Sequence, residues 1–401
     1  MNQRGKTAAV VGGGLAGLSA AWRLQRAGWQ VAVLEASDRV GGRAATISKD
    51  GYLIDTGASA LAASYHAYLE LVGELGISQN IVPTSQIIEI PRGSKRHAFD
   101  FSRIPSSAVR SKLLSWPARL RLIRLLWDVT KARVRGQLSF TDMGWASAID
   151  IESARDYASR RLGTELADYF CEPLVRVMLI ANAEQISKVE LFSAVSNIVS
   201  TRLMGLIGGV NLLAQTLAAK LDVRLNAPAI SVQEASGGVE INWRRAEGEP
   251  GTLKADACVV ATPLPVASEL CPGHNQVLAK TAHDFDYTSA LTVSLGTRVR
   301  PNTDAFMVPL PARESPEVAI LFMDHNKCPD RAPAGRFLVS SHWETGASQR
   351  HFEADDEAIA RRTINQVLQF FPEIENSVEM THVTPWKRAL PKTSPGAYRK
   401  I

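Results

Sequence analysis

The chain has 401 residues, 45% of them hydrophobic and 21% charged, with a formal net charge of +5. That composition excludes a disordered chain and allows two or three domains with a sizeable core. Four cysteines without a C-x-x-C spacing exclude a disulfide framework and point to a reducing, cytoplasmic compartment, while the eight histidines show no zinc spacing.

Ala8 to Val11 reads as a buried strand that breaks into Gly12-x-Gly14-x-x-Gly17 and then into a helix from Leu15 to Ala27 closed by Gly28. Arg4 and Lys6 before an apolar run resemble a secretory signal, but the glycines that interrupt the run fit a nucleotide turn better. The spacing is the dinucleotide fingerprint. Its first glycine permits the turn, its second admits a pyrophosphate, and its third lets helix and strand approach. Backbone N–H groups at the helix start, around Leu15 and Ala16, favour the phosphates. Val31 to Leu34 reads as a second buried strand ending at Glu35, 18 residues past Gly17, where the fingerprint places an acid for the ribose hydroxyls. Ala36 follows, and then Arg39-Val40-Gly41-Gly42-Arg43. This second glycine pair is foreign to a nicotinamide enzyme but suits a flavin dinucleotide, which needs backbone and an arginine along its length. Ile54-Asp55-Thr56-Gly57-Ala58 is a further strand ending in glycine.

From about residue 95 to 205 the pattern is helical. Ser115, Pro117 and Gly136 bound one helix, with Trp116, Leu120, Ile123 and Trp127 on one face. Nine cations between Arg103 and Arg135 oppose Asp128 alone, a net +8 within a chain of +5, so the remainder is −3. The segment reads as a solvated basic face of a substrate domain, or as a peripheral membrane contact. No aromatic or zinc module accompanies the charge, so nucleic acid is not expected. No stretch reaches the roughly 18 apolar residues of a spanning helix, so the chain reads as soluble or peripheral. Glu165 to Ala181 reads as a helix interrupted near Pro173, and Cys171 lacks the histidine partner of a nucleophile. From Tyr287 the pattern alternates through Leu291, Val293 and Leu295, Val318 to Met323, and Phe337 to Ser341, predicting a sheet along a substrate cavity. Asp355 to Glu357 open a helix ending before Pro372.

The glycine turn, Glu35-Ala36 with Gly41-Gly42-Arg43, and Asp55-Thr56-Gly57-Ala58 together resemble the flavin-dependent amine oxidase superfamily. That group includes monoamine and polyamine oxidases, protoporphyrinogen oxidases, and carotenoid and squalene-type desaturases. Gly208-Gly209-Val210-Asn211, Asp222 to Val232, Asp256 to Pro263, and Trp386 with Ala389-Leu390-Pro391 extend the resemblance over nearly the whole chain. It implies FAD held by Gly12, Gly14, Leu15, Ala16, Gly17, Glu35, Ala36, Gly42, Arg43, Gly57 and Ala58, with Ala229 near the adenine. It also implies an α/β fold, with a Rossmann-like FAD-binding domain (1–95, 205–285 and 376–401) and an inserted mixed α+β substrate domain (96–204 and 286–375). Cys171-Glu172-Pro173 with Ile186-Ser187 looks most like the porphyrinogen-oxidase branch.

Two departures shape the expected activity. Amine oxidases of the superfamily hold a lysine near the flavin early in the strand that here starts at Ser289-Ala290-Leu291, and none stands there. The resemblance therefore implies an apolar or cyclic small molecule oxidised by hydride transfer to flavin, with oxygen or another acceptor completing the cycle. The runner-up is a flavin amine oxidase, and the alternative of another class is a non-catalytic flavin-binding or scaffold protein. The superfamily's closing Ala-Gly-Asp turn and final helix have no match before Ile401, so either the sequence is a shortened version of a longer protein or the flavin site is incomplete, and weakened flavin binding with isolation as apoprotein is expected. No catalytic residue is assigned by the sequence.

Overall fold

The computed structural model describes residues 5–399, except 104–106, 108–109, 140–141, 199–200, 246–247 and 272–274. Its organising layer is a four-stranded parallel sheet in the order Asp222–Arg224, Gln30–Leu34, Thr7–Val11, Ala257–Val260. Val10 faces Val33 on one side and Val259 on the other. The central runs Ala8–Val11 and Val31–Leu34 are buried throughout, as strands covered on both faces must be. Helix Leu15–Arg26 crosses between the first two strands and buries Leu18 and Ala21. Gly28 closes it with φ +87°, a left-handed conformation that glycine adopts without a Cβ penalty.

Ala229–Ala235, Gly238–Arg244 and Pro250–Ala255 form a separate antiparallel sheet of three strands. A seven-stranded sheet runs in the order Val378–Trp386, Ala290–Thr297, Phe337–Trp343, Val318–Met323, Met307–Pro309, Ile87–Arg92, Lys95–Asp100. Its membership cuts across the domain limits expected at 95 and 376. Ile87–Arg92 and Val378–Trp386 fall within the expected cofactor segments, yet their hydrogen bonds lie in this sheet. The alternation read at Leu291, Val293 and Leu295 is present, but every residue of Ala290–Thr297 is buried. One face packs on helix Asp356–Leu368 through Ile359 and Val367. On the other, Gly296 lies against Tyr52, where a Cβ would come within 2.5 Å of the ring.

The helical part centres on Trp116–Val134, Ala154–Arg161, Glu172–Leu179 and Lys188–Ile198. Ser115 caps the first, accepting from the Ala118 N–H at 3.4 Å, with Pro117 in the first turn. The interruption expected near Pro173 lies just before it, as a π-helical turn over Ala167–Cys171; Pro173 itself occupies the first turn of the next helix. Arg176 in that helix is fully buried. Its guanidinium donates to the carbonyls of Leu310 at 2.7 Å and Ser315 at 2.8 Å, tying the helices to the seven-stranded sheet.

Candidate flavin site

The three glycines of the first turn are required for different reasons. Gly12 has φ +108°, and a Cβ there would meet the Ala261 carbonyl oxygen at 2.8 Å. A Cβ on Gly17 would lie 2.0 Å from the Gly12 oxygen, so the helix can approach the strand only with glycine there. A Cβ on Gly14 would meet nothing within 4 Å. Its bare backbone and the start of the helix, with Leu15 half-buried and Ala16 exposed, form an open cradle with no side chain capping it. That arrangement fits a pyrophosphate.

Glu35 ends the neighbouring strand, buried beside the turn. One carboxylate oxygen accepts from the Gly13 N–H at 2.5 Å; the other accepts from the Ser37 N–H at 2.8 Å and hydroxyl at 2.7 Å. A carboxylate has about four acceptor sites, so one remains for a hydroxyl after these three bonds. The Glu35 carbonyl accepts from the Ala227 N–H at 2.8 Å, which brings the start of the Ala229 strand to the same corner. Ala36 is exposed beside it.

The second glycine turn stacks on the first. The Gly41 N–H donates to the Gly13 carbonyl at 2.9 Å, and Gly14 and Gly41 form a parallel bridge. Gly42 has φ +57° and lies against the Gly14 backbone, with 3.3 Å between its would-be Cβ and the Gly14 Cα. The Arg43 carbonyl accepts from the Ala58 N–H at 3.0 Å, and a Cβ on Gly57 would stand only 2.2 Å from that oxygen. Arg43 reaches the end of the chain, donating to the Ala389 carbonyl at 2.8 Å, while the Trp386 indole donates to the Thr56 carbonyl at 2.7 Å. Gly42, Arg43 and Ala58 all expose surface along this line. The structure thus gathers Gly12, Gly14, Leu15, Ala16, Gly17, Glu35, Ala36, Gly42, Arg43, Gly57 and Ala58 along a continuous path of backbone contacts.

Sequence reasoning missed a buried charge cluster behind this path. Lys327 Nζ donates to Asp55 Oδ2 at 2.8 Å and pairs with Asp324 at 2.6 Å, and Arg331 stands 3.4 Å from Asp55. Thr46 Oγ1 and the Val210 N–H donate to Asp55 Oδ1 at 2.7 and 3.1 Å. Burial pushes the Asp55 carboxyl up, but Lys327 and Arg331 outweigh it and hold the group below its ordinary range. Burial likewise opposes the Lys327 charge, and Asp324 and Asp55 overcome it. Lys327 is therefore an ammonium committed to two carboxylates. Nearby, burial pushes the His342 imidazole down to about 4, and its ring lies 5.0 Å from Phe322. Position 290, in the strand where amine oxidases hold a lysine, is Ala290, buried and paired with Trp386. Cys171 is fully buried and its thiol is pushed up by burial, so it does not supply a thiolate.

A parallel sheet with a bare glycine turn, an acid at the end of the next strand and a second glycine turn followed by arginine marks a dinucleotide-binding site, and the family match makes the protein an FAD-dependent oxidoreductase. The family model of flavin containing amine oxidoreductases matches residues 15–400, and the chain belongs to that family. It is 21% identical to protoporphyrinogen oxidase 2 (chloroplastic/mitochondrial) of Arabidopsis thaliana, over 96% of this chain and 84% of the relative. To coproporphyrinogen III oxidase of Bacillus subtilis it is 23% identical, over 100% of this chain and 90% of the relative. Among solved structures, wild-type putrescine oxidase bound to putrescine superposes with a TM-score of 0.76 at 20% identity, covering 99% of this chain and 90% of that one. No helix among the described residues is long and apolar enough to cross a membrane.

Proposed function

We propose that the chain oxidises an apolar, cyclic small molecule of the porphyrinogen type, with oxygen or another small acceptor taking the electrons onward. FAD, when bound, supplies the hydride acceptor. In this reading Gly12, Gly14, Gly17 and the Leu15–Ala16 helix start hold its pyrophosphate. Glu35 holds the ribose, Ala36 and Ala229 border the adenine half, and Gly42, Arg43, Gly57 and Ala58 follow the dinucleotide toward its flavin end.

One observation carries the substrate class: the lysine and the histidine buried behind this path are not available as bases, and no lysine opens strand Ala290–Thr297. Lys327 is fixed as an ammonium between two carboxylates, His342 is neutral against Phe322, and Ala290 stands in the strand where the amine-oxidising branch places its lysine. A substrate that loses a hydride from carbon needs to be held in place more than it needs a base beside it. Similarity to a protoporphyrinogen and a coproporphyrinogen oxidase over most of both chains supports the same class. Mixing FAD-loaded protein anaerobically with coproporphyrinogen, protoporphyrinogen or putrescine tests it. The expected outcome is bleaching of the oxidised flavin by a porphyrinogen and none by putrescine. Bleaching by the amine alone would contradict the proposal.

A further inference from the structure

Helix Trp116–Val134 carries two apolar faces. The inner face, Ala118, Leu125, Val129 and Ala132, is buried in the helical core. The outer face is Trp116, Leu120, Ile123, Trp127 and Val134, each between 64% and 81% exposed. At the helical period these five side chains project within about 60° of one another, opposite the buried face. A helix that packs on a core needs one apolar stripe; the second, holding two tryptophans, lies outside the core, with the Arg119 guanidinium over the Trp116 ring at 4.7 Å as its one ring contact among the described residues.

The polar residues around the outer stripe are sorted by charge. Arg124 and Lys131 fall on one flank and Arg133 on the other, beside a half-buried Arg119 whose guanidinium donates to the Leu114 and Ser111 carbonyls. Arg124, Lys131 and Arg133 are exposed and make no ion pair among the described residues. The helix has a single acid, Asp128, and it is taken out of the surface. Its carboxylate accepts from the Tyr157 hydroxyl at 2.8 Å and from Arg161 Nε at 3.0 Å. The outer face is therefore apolar along its centre and cationic along both edges. Tryptophan favours the boundary between apolar and wet surroundings, and long cationic side chains lay their stems along apolar surface while keeping the charge in water. The segment's +8 against −3 for the rest of the chain gives the molecule a polarity that turns this face toward an anionic surface.

We propose that this helix docks the protein on a lipid bilayer bearing anionic phospholipid. It lies in the plane of the interface, with the Trp116–Trp127 stripe among the headgroups and the flanking cations on lipid phosphates. The proposal does not depend on the flavin assignment, because the helix face is present whether or not FAD is bound.

Co-sedimentation with vesicles of equal parts phosphatidylcholine and phosphatidylglycerol, beside vesicles of phosphatidylcholine alone, tests it. The expected result is binding to the mixed vesicles at low salt, weakening as salt rises, and little binding to phosphatidylcholine. The double variant Trp116→Ser with Trp127→Ser abolishes that binding without changing the melting temperature or FAD uptake, since both side chains lie outside the core. Arg124→Gln with Lys131→Gln weakens it about 25-fold, about fivefold for each cation removed. Absence of binding to mixed vesicles at low salt overturns the proposal. So does binding that survives the tryptophan variant, or a micromolar dimer in solution that the tryptophan variant dissociates, which would assign the stripe to a second copy of the chain.

Discussion

Gly14 and Gly17 stand three residues apart, yet the structure makes opposite demands of them. A methyl group on Gly17 would sit 2.0 Å from the Gly12 oxygen, inside any allowed contact, whereas one on Gly14 meets no protein atom within 4 Å. Gly14→Ala therefore changes stability by no more than about 1 kcal/mol, the range for glycine against alanine at a helix start. It nevertheless fills the cradle assigned to the pyrophosphate. A normal urea midpoint together with a clear loss of FAD affinity is the expected outcome for Gly14→Ala, while Gly17→Ala loses the fold. Unchanged FAD affinity in a folded Gly14→Ala protein would remove the pyrophosphate from this turn. The glycine spacing was legible because turn, acid and second glycine pair lie within the first 58 residues, where local sequence dictates local geometry. Glu35 was legible as an acid at the strand end; that it is already held by Gly13 and Ser37 was not.

At the scale of elements, the least legible feature is the one that locks strands together. Asp55 and Lys327 are 272 residues apart in sequence, and although Asp324 is a local partner, no local pattern marks a lysine whose second partner comes from a distant strand. Lys327 and Asp55 are both almost fully enclosed, so removing one charge leaves the others buried without compensation. Lys327→Met is expected to cost about 3–5 kcal/mol of stability, read as a lowered midpoint in urea. A midpoint equal to that of the wild type would show that the cluster does not hold the hairpin of strands Thr46–Lys49 and Tyr52–Asp55 to the short helix Asp324–Lys327. Strand identity was similarly readable while strand partnership was not. Ile87–Arg92 and Val378–Trp386 have ordinary strand patterns, but only the folded register shows that they extend the seven-stranded sheet. Helix Trp116–Val134 was legible from its cap, its Pro117 and Gly136, since these signals are local. Which of its apolar residues face inward required the neighbouring helices.

At the scale of the molecule, one parallel sheet and its turns offer a path for FAD, and a seven-stranded sheet and a helical layer are built against it. The buried Arg176 and the Asp55 cluster join these layers through groups that are costly to bury unless satisfied. The proposed membrane face and the proposed apolar substrate are compatible, because a molecule that partitions into lipid is most available to an enzyme seated there. Glu35 and the stacked glycine turns are assigned to hold FAD, and titration of purified protein with FAD, wild type beside Glu35→Ala, measures whether they do. Saturable uptake by the wild type is expected, weakened about 10- to 100-fold in the variant by loss of a hydrogen bond to a charged acceptor. Equal affinity in the two proteins, or no uptake by the wild type, would contradict that assignment.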